Sequence, residues 1–241
     1  MDITSGVTSV RGVGRSSNDD AYRLYLDQPH VRRAGRGSIA ALARGSGPPT
    51  HARLAAWAVI DAIGSFWNVP NEGFTPGAGL RHALEEANAV LVNAAAGDAA
   101  FADCTVALSL LYISVGLRSG LALAIGDCPI YVVHNQEFSR LTRELTDQSD
   151  MSPSRIGLGL APRSFHRSLK FASGDVFAMV SAGYRQAVPS QDFASVMASP
   201  AHPADVAQDM VDLAVARQSN LDSTAMVIRM GPAEARRDRD G

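Results

Sequence analysis

Apolar residues follow two different periods along this chain, one typical of helices and the other of strands. After a Gly- and Pro-rich stop at residues 45–49, apolar residues recur at helical spacing from Leu54 to Phe66, and we expect Thr50 to cap this helix. A second helix is predicted to begin at Thr75-Pro76. Its buried face is predicted to carry Leu80, Leu84, Ala87, Leu91 and Ala94. Two more helices are predicted at about residues 190–199 and 204–217.

Short apolar runs bounded by turn residues predict strands. The predicted strands are Tyr22–Leu26, Ser38–Ala43, Thr105–Val115, Leu121–Ile125, Ile130–His134, Phe138–Leu141, Val176–Ser181 and Thr224–Met230. The four central strands are joined by short turns, which indicates an antiparallel meander, and residues 144–170 are predicted to be irregular. Since helices and strands do not alternate regularly, the order favours an α+β layered protein over a doubly wound parallel sheet.

Composition excludes several classes of protein. The 241 residues have a formal net charge of −2, so no electrostatic argument favours nucleic acid or an anionic membrane as a partner. Neither a signal peptide nor a membrane-spanning apolar run is visible, and we expect a cytoplasmic protein. Cys104 and Cys128 lack the spacing of a zinc site or a disulfide framework. Lys170 is the only lysine, and this arginine and alanine bias indicates a high-GC bacterial genome.

The sequence Arg15-Ser16-Ser17-Asn18-Asp19-Asp20-Ala21 carries the first candidate chemistry. An arginine offers a planar fork that suits phosphate, and carboxylates suit hard divalent cations. An arginine and paired acids at the entrance of a strand are what a metal-assisted phosphate site needs. The same residues are also good turn formers, so a solvated turn is the alternative.

Several motifs follow this cluster in a particular order. They are Leu42–Gly47, Gly126–Tyr131, Leu141–Arg143, Ser181–Tyr184 and Ser219–Thr224. Together they resemble the metal-dependent protein phosphatase 2C family from about residue 5 to residue 230. The resemblance implies a four-layer sandwich of two antiparallel β-sheets flanked by helices. It implies one domain over residues 1–231, and we expect residues 232–241 to be a disordered tail.

The resemblance also implies a metal site. In this family, aspartates hold two manganese or magnesium ions, which activate a water for attack on a phosphoryl group. Asp20 and Asp19 match the catalytic metal-binding acids, and Arg15 matches the phosphate-binding arginine. Asp127 matches an acid that some members use for an additional metal, and Asp222 is a weaker candidate ligand.

Three positions depart from the family pattern. Arg44, or Ala43 if the alignment slips by one, stands where the family has an aspartate that bridges both metals. Ala182 falls on a second aspartate position, and Leu221, or Asp222 with a slip of one, falls on a third. A unit positive charge about 4 Å from a divalent ion is repelled by about 8 kcal/mol at an effective dielectric constant near 20. A millimolar to micromolar site supplies only about 4–8 kcal/mol. We therefore expect no metal or weak metal binding, with Arg44 paired to Asp20 or Asp19 instead.

Three functional interpretations remain open. The first is a pseudophosphatase that acts in signalling as a regulatory or phosphoprotein-binding module. Its partner would be a phosphorylated protein, a kinase or a sibling phosphatase, with Arg15 as the retained phosphate contact. The alternative is an active serine/threonine phosphatase that uses Asp127, Asp222 or another acid as a replacement ligand. The third is a purely structural interaction domain.

Overall fold

The computed structural model describes residues 1–26, 28–142, 155–159 and 162–232. Arg143 of the third motif lies outside the described residues, and so does the predicted tail from residue 233 onward. Among the helices that are described, none is both long enough and apolar enough to cross a bilayer.

The chain forms two antiparallel five-stranded sheets. The strands are β1 (Asp2–Val10), β2 (Asp20–Tyr25), β3 (Ser38–Ser46), β4 (Thr105–Ser114), β5 (Ser119–Ile125), β6 (Ile130–His134), β7 (Glu137–Arg140), β8 (Phe165–Lys170), β9 (Val176–Val180) and β10 (Ser223–Gly231). The first sheet has the order β1-β10-β9-β6-β7, and the second has the order β2-β3-β4-β5-β8. The α-helices are α1 (Pro29–Ala34), α2 (Pro49–Ala62), α3 (Pro76–Gly97), α4 (Ala182–Ala187), α5 (Ser190–Met197) and α6 (Pro203–Ala216). Two 3₁₀ helices lie at Ile63–Asn68 and Ala99–Phe101.

Three apolar clusters stack these elements into four layers. One cluster packs α2 and α3 on the outer face of the second sheet, and it includes Val59, Leu84 and Leu108. Another packs α6 on the outer face of the first sheet. The third fills the space between the sheets, where Leu42 and Met226 are fully buried. The predicted α+β sandwich is confirmed, because each sheet buries one face on helices and the other on the opposite sheet.

The predicted meander is wrong at its centre. Strand β5 lies in the second sheet and β6 in the first, so the pairing is interrupted between Ile125 and Ile130. Gly126 adopts a positive φ of 78°, and Pro129 supplies no backbone donor, which turns the chain out of one sheet and into the other. Strand β8 also occupies part of the region 144–170 that we expected to be irregular.

The predicted helix boundaries are partly correct. Thr75 caps α3, and its side chain accepts a hydrogen bond from the Ala78 amide at 3.1 Å. Thr50 instead lies inside α2, because Pro48 occupies the N-cap position and fixes the chain direction there. Leu54, the first apolar residue of the predicted helical spacing, is 51% exposed.

Antiparallel pairing brings several strand ends together at one end of the sandwich. Val10 at the end of β1 pairs with Ser223 at the start of β10. Asp20 at the start of β2 pairs with Arg44 near the end of β3. Since β5 also runs toward this end before its exit at Gly126, residues that are far apart in sequence meet there.

Gly45→Ala tests how tightly α2 is packed against this end. A Cβ at Gly45 would lie 1.9 Å from the carbonyl oxygen of Ala52, so either the helix or the strand must move. We expect the free energy of unfolding to fall by about 1–3 kcal/mol, as for other overpacked sites. Urea unfolding measures this change. Gly116→Ala, at an open and exposed turn, is the control and should have little effect. Equal stability of the two variants would contradict the close approach.

Candidate functional site

The Asp222 carboxylate connects the start of β10 to the loop between β1 and β2. It is 1% exposed, and its Oδ1 accepts a hydrogen bond from the Gly12 amide at 2.9 Å. Its Oδ2 accepts one from the Asp19 amide at 2.9 Å and lies 3.1 Å from Arg15 Nε. The predicted weak ligand Asp222 therefore lies in the same cluster as Asp19 and Arg15.

Asp19 and Arg15 form a second contact within this loop. The buried Asp19 carboxylate pairs with the Arg15 guanidinium and accepts a hydrogen bond from the Ser17 hydroxyl at 2.8 Å. Arg15 thus contacts two carboxylates, and its side chain is 30% exposed. A buried carboxylate is costly unless it is paired and hydrogen-bonded, and this arrangement supplies both kinds of partner.

Asp20 has a different environment from its neighbour. Its Oδ2 accepts a hydrogen bond from the Thr224 hydroxyl at 2.7 Å, whereas its Oδ1 is buried without a hydrogen-bond partner among the described residues. Burial raises the pKa of Asp20 to about 7, although the Thr224 and Ser181 hydroxyls and the Arg44 charge act to lower it. Loss of hydration therefore outweighs the favourable contacts, and the carboxyl group of Asp20 titrates near neutral pH.

Arg44 does not form the ion pair that we expected. It lies directly opposite Asp20 in the β2–β3 register, yet its Nη1 lies 3.8 Å from Asp127 Oδ2. Asp127 follows the end of β5, within reach of a long side chain from β3. Arg15 already pairs with Asp19, so the predicted pairing of Arg44 with Asp19 or Asp20 is replaced by a contact with Asp127.

A second arginine reaches Asp127, and sequence reasoning missed it. Arg155 Nη2 lies 3.4 Å from Asp127 Oδ1. Ile156 is held beside β4 by a backbone bridge to Val106, and the Gly157 amide donates a hydrogen bond to Asn88 Oδ1 at 2.9 Å. The sequence around Arg155 has no motif or periodicity that could have indicated this position.

The other two departures from the family pattern also lie at this end. Ala182 is fully buried and begins α4 directly after Ser181. The Ser181 hydroxyl donates to the Asp222 carbonyl at 3.1 Å and accepts from the Thr224 amide at 3.0 Å. Leu221 is partly buried and directly precedes Asp222. The site residues predicted from sequence therefore lie on the strand ends, the loops and the start of α4 at this end of the sandwich.

We tested whether this set of side chains fits two divalent ions. Within residues 1–26, 28–142, 155–159 and 162–232, no three acidic, histidine or cysteine side chains are grouped to hold a metal ion. Asp19 and Asp222 are occupied by protein donors, and Asp127 contacts two arginines. As arranged, the carboxylates fit guanidinium and amide donors, whereas a binuclear site needs oxygens that are open to metal.

Comparisons with known proteins bear on the fold. No family model and no curated protein sequence matches the chain. Among solved structures, the Mycobacterium tuberculosis serine/threonine phosphatase PstP/Ppp is similar with a TM-score of 0.80 and 18% identity, over 95% of this chain and 99% of that chain. The serine/threonine phosphatase of S. agalactiae gives a TM-score of 0.79 and 17% identity, over 95% and 100%.

Two further structures add detail about these neighbours. PppA of Pseudomonas aeruginosa, described as a key regulatory component of the T6SS, gives a TM-score of 0.75 and 22% identity, over 94% of this chain and 97% of that chain. The catalytic domain of PstP, in complex with two manganese ions, gives a TM-score of 0.77 and 18% identity, over 95% and 99%. At these identities, the likeness shows that this chain has the fold of protein phosphatase 2C-type enzymes.

Asp20→Asn tests the titration of Asp20 in metal-free buffer. Between the ordinary aspartate pKa of 3.8 and the folded value of about 7, folded Asp20 keeps a proton that the unfolded chain has lost. Stability from this group is therefore complete at low pH and is lost as pH rises through about 7, at about 1.4 kcal/mol per pH unit. We expect the variant to lose less stability than the wild type between pH 5 and pH 7, measured by urea unfolding.

Asp61→Asn is the control, because the Asp61 carboxylate is 60% exposed and pairs with Arg23 on the surface. It should leave the pH dependence of the wild type unchanged. Parallel stability curves for the wild type and Asp20→Asn would contradict a raised pKa at Asp20.

Proposed function

We propose that this chain is a catalytically impaired relative of the protein phosphatase 2C enzymes that acts as a regulatory or phosphoprotein-binding module. The observation that carries this proposal is the position of Arg44. It lies opposite Asp20, in the place of a bridging aspartate by resemblance, and its guanidinium reaches Asp127. A fixed positive charge there opposes the binding of a second positive charge.

The neighbouring charges support the same proposal. Arg15, Arg44 and Arg155 lie among four aspartates, so much of the negative charge that would attract two ions is balanced by protein cations. Manganese or magnesium ions would supply an activated water for phosphoryl transfer. Since the donor set does not fit them, we assign no catalytic step to this site, and the roles of Asp19 and Asp20 as metal ligands stay predictions.

The arginines also hold loops together, as metal ions do in a metal site. A metal pair holds together the loops whose aspartates it binds. Here Arg15 and the Asp222 carboxylate tie the β1–β2 loop to β10, and Arg44 ties β3 to the residue that follows β5. We propose that these contacts keep the surface around the site folded without metal, which a binding module requires.

The proposed partner is a phosphorylated protein, a kinase or a sibling phosphatase in bacterial signalling. The regulatory description of the PppA neighbour, which has the same fold, supports this choice. We propose that the chain acts in the cytoplasm as one domain over residues 1–231. A phosphate contact by Arg15 stays a prediction, because that guanidinium already contacts Asp19 and Asp222.

One observation favours the second candidate, an active phosphatase with replacement ligands. Asp20 Oδ1 is buried and accepts no hydrogen bond from any described residue, and Asp222 lies close enough to Asp20 to raise its pKa. An ion held there would need Arg15 and Arg44 to withdraw. A purely structural domain is the third candidate, and it would bind neither metal nor phosphate.

Calorimetric titration of manganese into the full chain tests the proposal. We expect no binding at micromolar metal and no manganese-dependent hydrolysis of para-nitrophenyl phosphate by the wild type. The matched variant is the double substitution Arg44→Asp and Ala182→Asp, which restores two aspartates of the family pattern. We expect it to bind manganese, because it removes one positive charge and adds two carboxylates.

The two assays together separate the candidates. Micromolar manganese binding by the wild type at two sites, with hydrolysis that Asp20→Asn abolishes, would overturn the proposal and establish the active enzyme. Circular dichroism of the double variant must match that of the wild type before its metal binding is interpreted, because Ala182 is fully buried.

A further inference from the structure

We infer that Arg44 and Arg155 form a metal-independent binding site for a phosphoryl dianion. The inference deepens the proposed function, on which it rests, by naming the ligand class and the residues that hold it. Two arginine guanidiniums would make the contacts with the phosphoryl oxygens that metal ions make in an active enzyme of this fold.

The first observation is an imbalance of charge around Asp127. The Arg44 Nη1 and Arg155 Nη2 atoms lie 3.8 and 3.4 Å from its two oxygens. Both distances exceed those of a charge-assisted hydrogen bond, which are about 2.7–2.9 Å. One carboxylate therefore faces two guanidiniums without binding either closely, although the charge of Arg44 also acts on Asp20.

The second observation is a lack of acceptors among the described residues. Arg155 Nη1 is buried and has no hydrogen-bond partner there. The Arg44 side chain makes no hydrogen bond within the part of the chain that the structure describes, although it is only 13% exposed. A guanidinium has five N–H donors, and buried donors are normally satisfied. An acceptor with several oxygens would satisfy both side chains at once.

The third observation is the rigid placement of the two arginines. Gly45, next to Arg44, pairs with Val106 of β4 from one side, and Ile156, next to Arg155, pairs with Val106 from the other. Neighbouring strands lie about 4.8 Å apart, so the two backbones are about 10 Å apart across β4. Arginine side chains are long enough to converge from that separation, as their shared contact with Asp127 shows.

Arg15 differs from this pair in its contacts. Its guanidinium contacts the carboxylates of both Asp19 and Asp222, so a phosphoryl group there would have to displace two buried carboxylates. At Arg44 and Arg155 the carboxylate within 4 Å among the described residues is that of Asp127, a single negative charge whose side chain is 27% exposed, and Arg44 also interacts electrostatically with Asp20. A phosphoryl dianion carries about twice that charge and can accept bidentate hydrogen bonds from two arginines.

The phosphoryl group could belong to free phosphate or to a phosphorylated side chain, and the experiment separates these two sources. The full chain is titrated in EDTA with inorganic phosphate, with N-acetylphosphoserine amide and, as a blank, with N-acetylserine amide. Binding is followed by amide chemical shifts. We expect saturable binding of at least one phosphorylated probe and none of the blank, with the tighter probe identifying the source.

Four variants assign the site. Arg44→Gln and Arg155→Gln should each weaken phosphate binding at least tenfold. Asp127→Asn should tighten binding severalfold, because it removes the competing charge. Arg33→Gln, an exposed arginine on α1 whose Nε donates to the Pro29 carbonyl, should leave affinity unchanged. If a glutamine variant loses its folded spectrum, the lysine variant at that position replaces it and should bind more weakly than the wild type.

The contrary outcomes are distinct from failure of the proposed function. No binding of either phosphorylated probe, or binding that Arg44→Gln and Arg155→Gln leave unchanged, overturns this inference. Manganese-dependent turnover by the wild type overturns the proposed function, but it does not affect the titrations in EDTA. If the chain neither hydrolyses a phosphate ester nor binds phosphate, the proposed loss of catalysis would stand and the inferred arginine site would be overturned.

Discussion

The Asp222 carboxylate is the interaction on which the rest of this site depends. It accepts hydrogen bonds from the backbone amides of Gly12 and Asp19 and pairs with Arg15. Its residue is only 1% exposed. These bonds fix the loop that carries Arg15 and Asp19. They thereby position Asp20 as the first residue of β2. Without this acceptor, two amides would lack their hydrogen-bond partner in a nearly dry environment, and Arg15 would keep only its contact with Asp19.

The acids of this site are accommodated in three ways. Asp19 and Asp222 both pair with Arg15. Asp127 lies near two arginines, and burial raises the pKa of Asp20. Removing one member of such a network leaves an uncompensated charge, which is more costly than the network is favourable. The arginines and acids therefore depend on one another.

Much of the fold could be predicted from sequence, since the periodicity of β4, β6 and α3 is carried by the residues themselves. The passage of the chain from one sheet to the other could not be predicted. The turn residues at Gly126 suit a hairpin between neighbouring strands as well as a connection between sheets. Motif order placed Asp19, Asp20 and Arg44 at one end of the fold. It could not find Arg155, since that contact depends on a bridge to Val106, about fifty residues earlier in the sequence.

Two of the loops that carry these charges are also places where the chain passes between the sheets. The segment between β1 and β2 leaves the first sheet for the second, and the segment containing Asp127 returns to the first. Arg15 and Asp222 anchor the first passage, and Arg44 anchors the second. The ionic contacts therefore hold the two sheets together at one end of the hydrophobic interior. At the proposed arginine site, phosphate affinity and the closure of the sandwich would be coupled through Arg44, because this one side chain belongs to both.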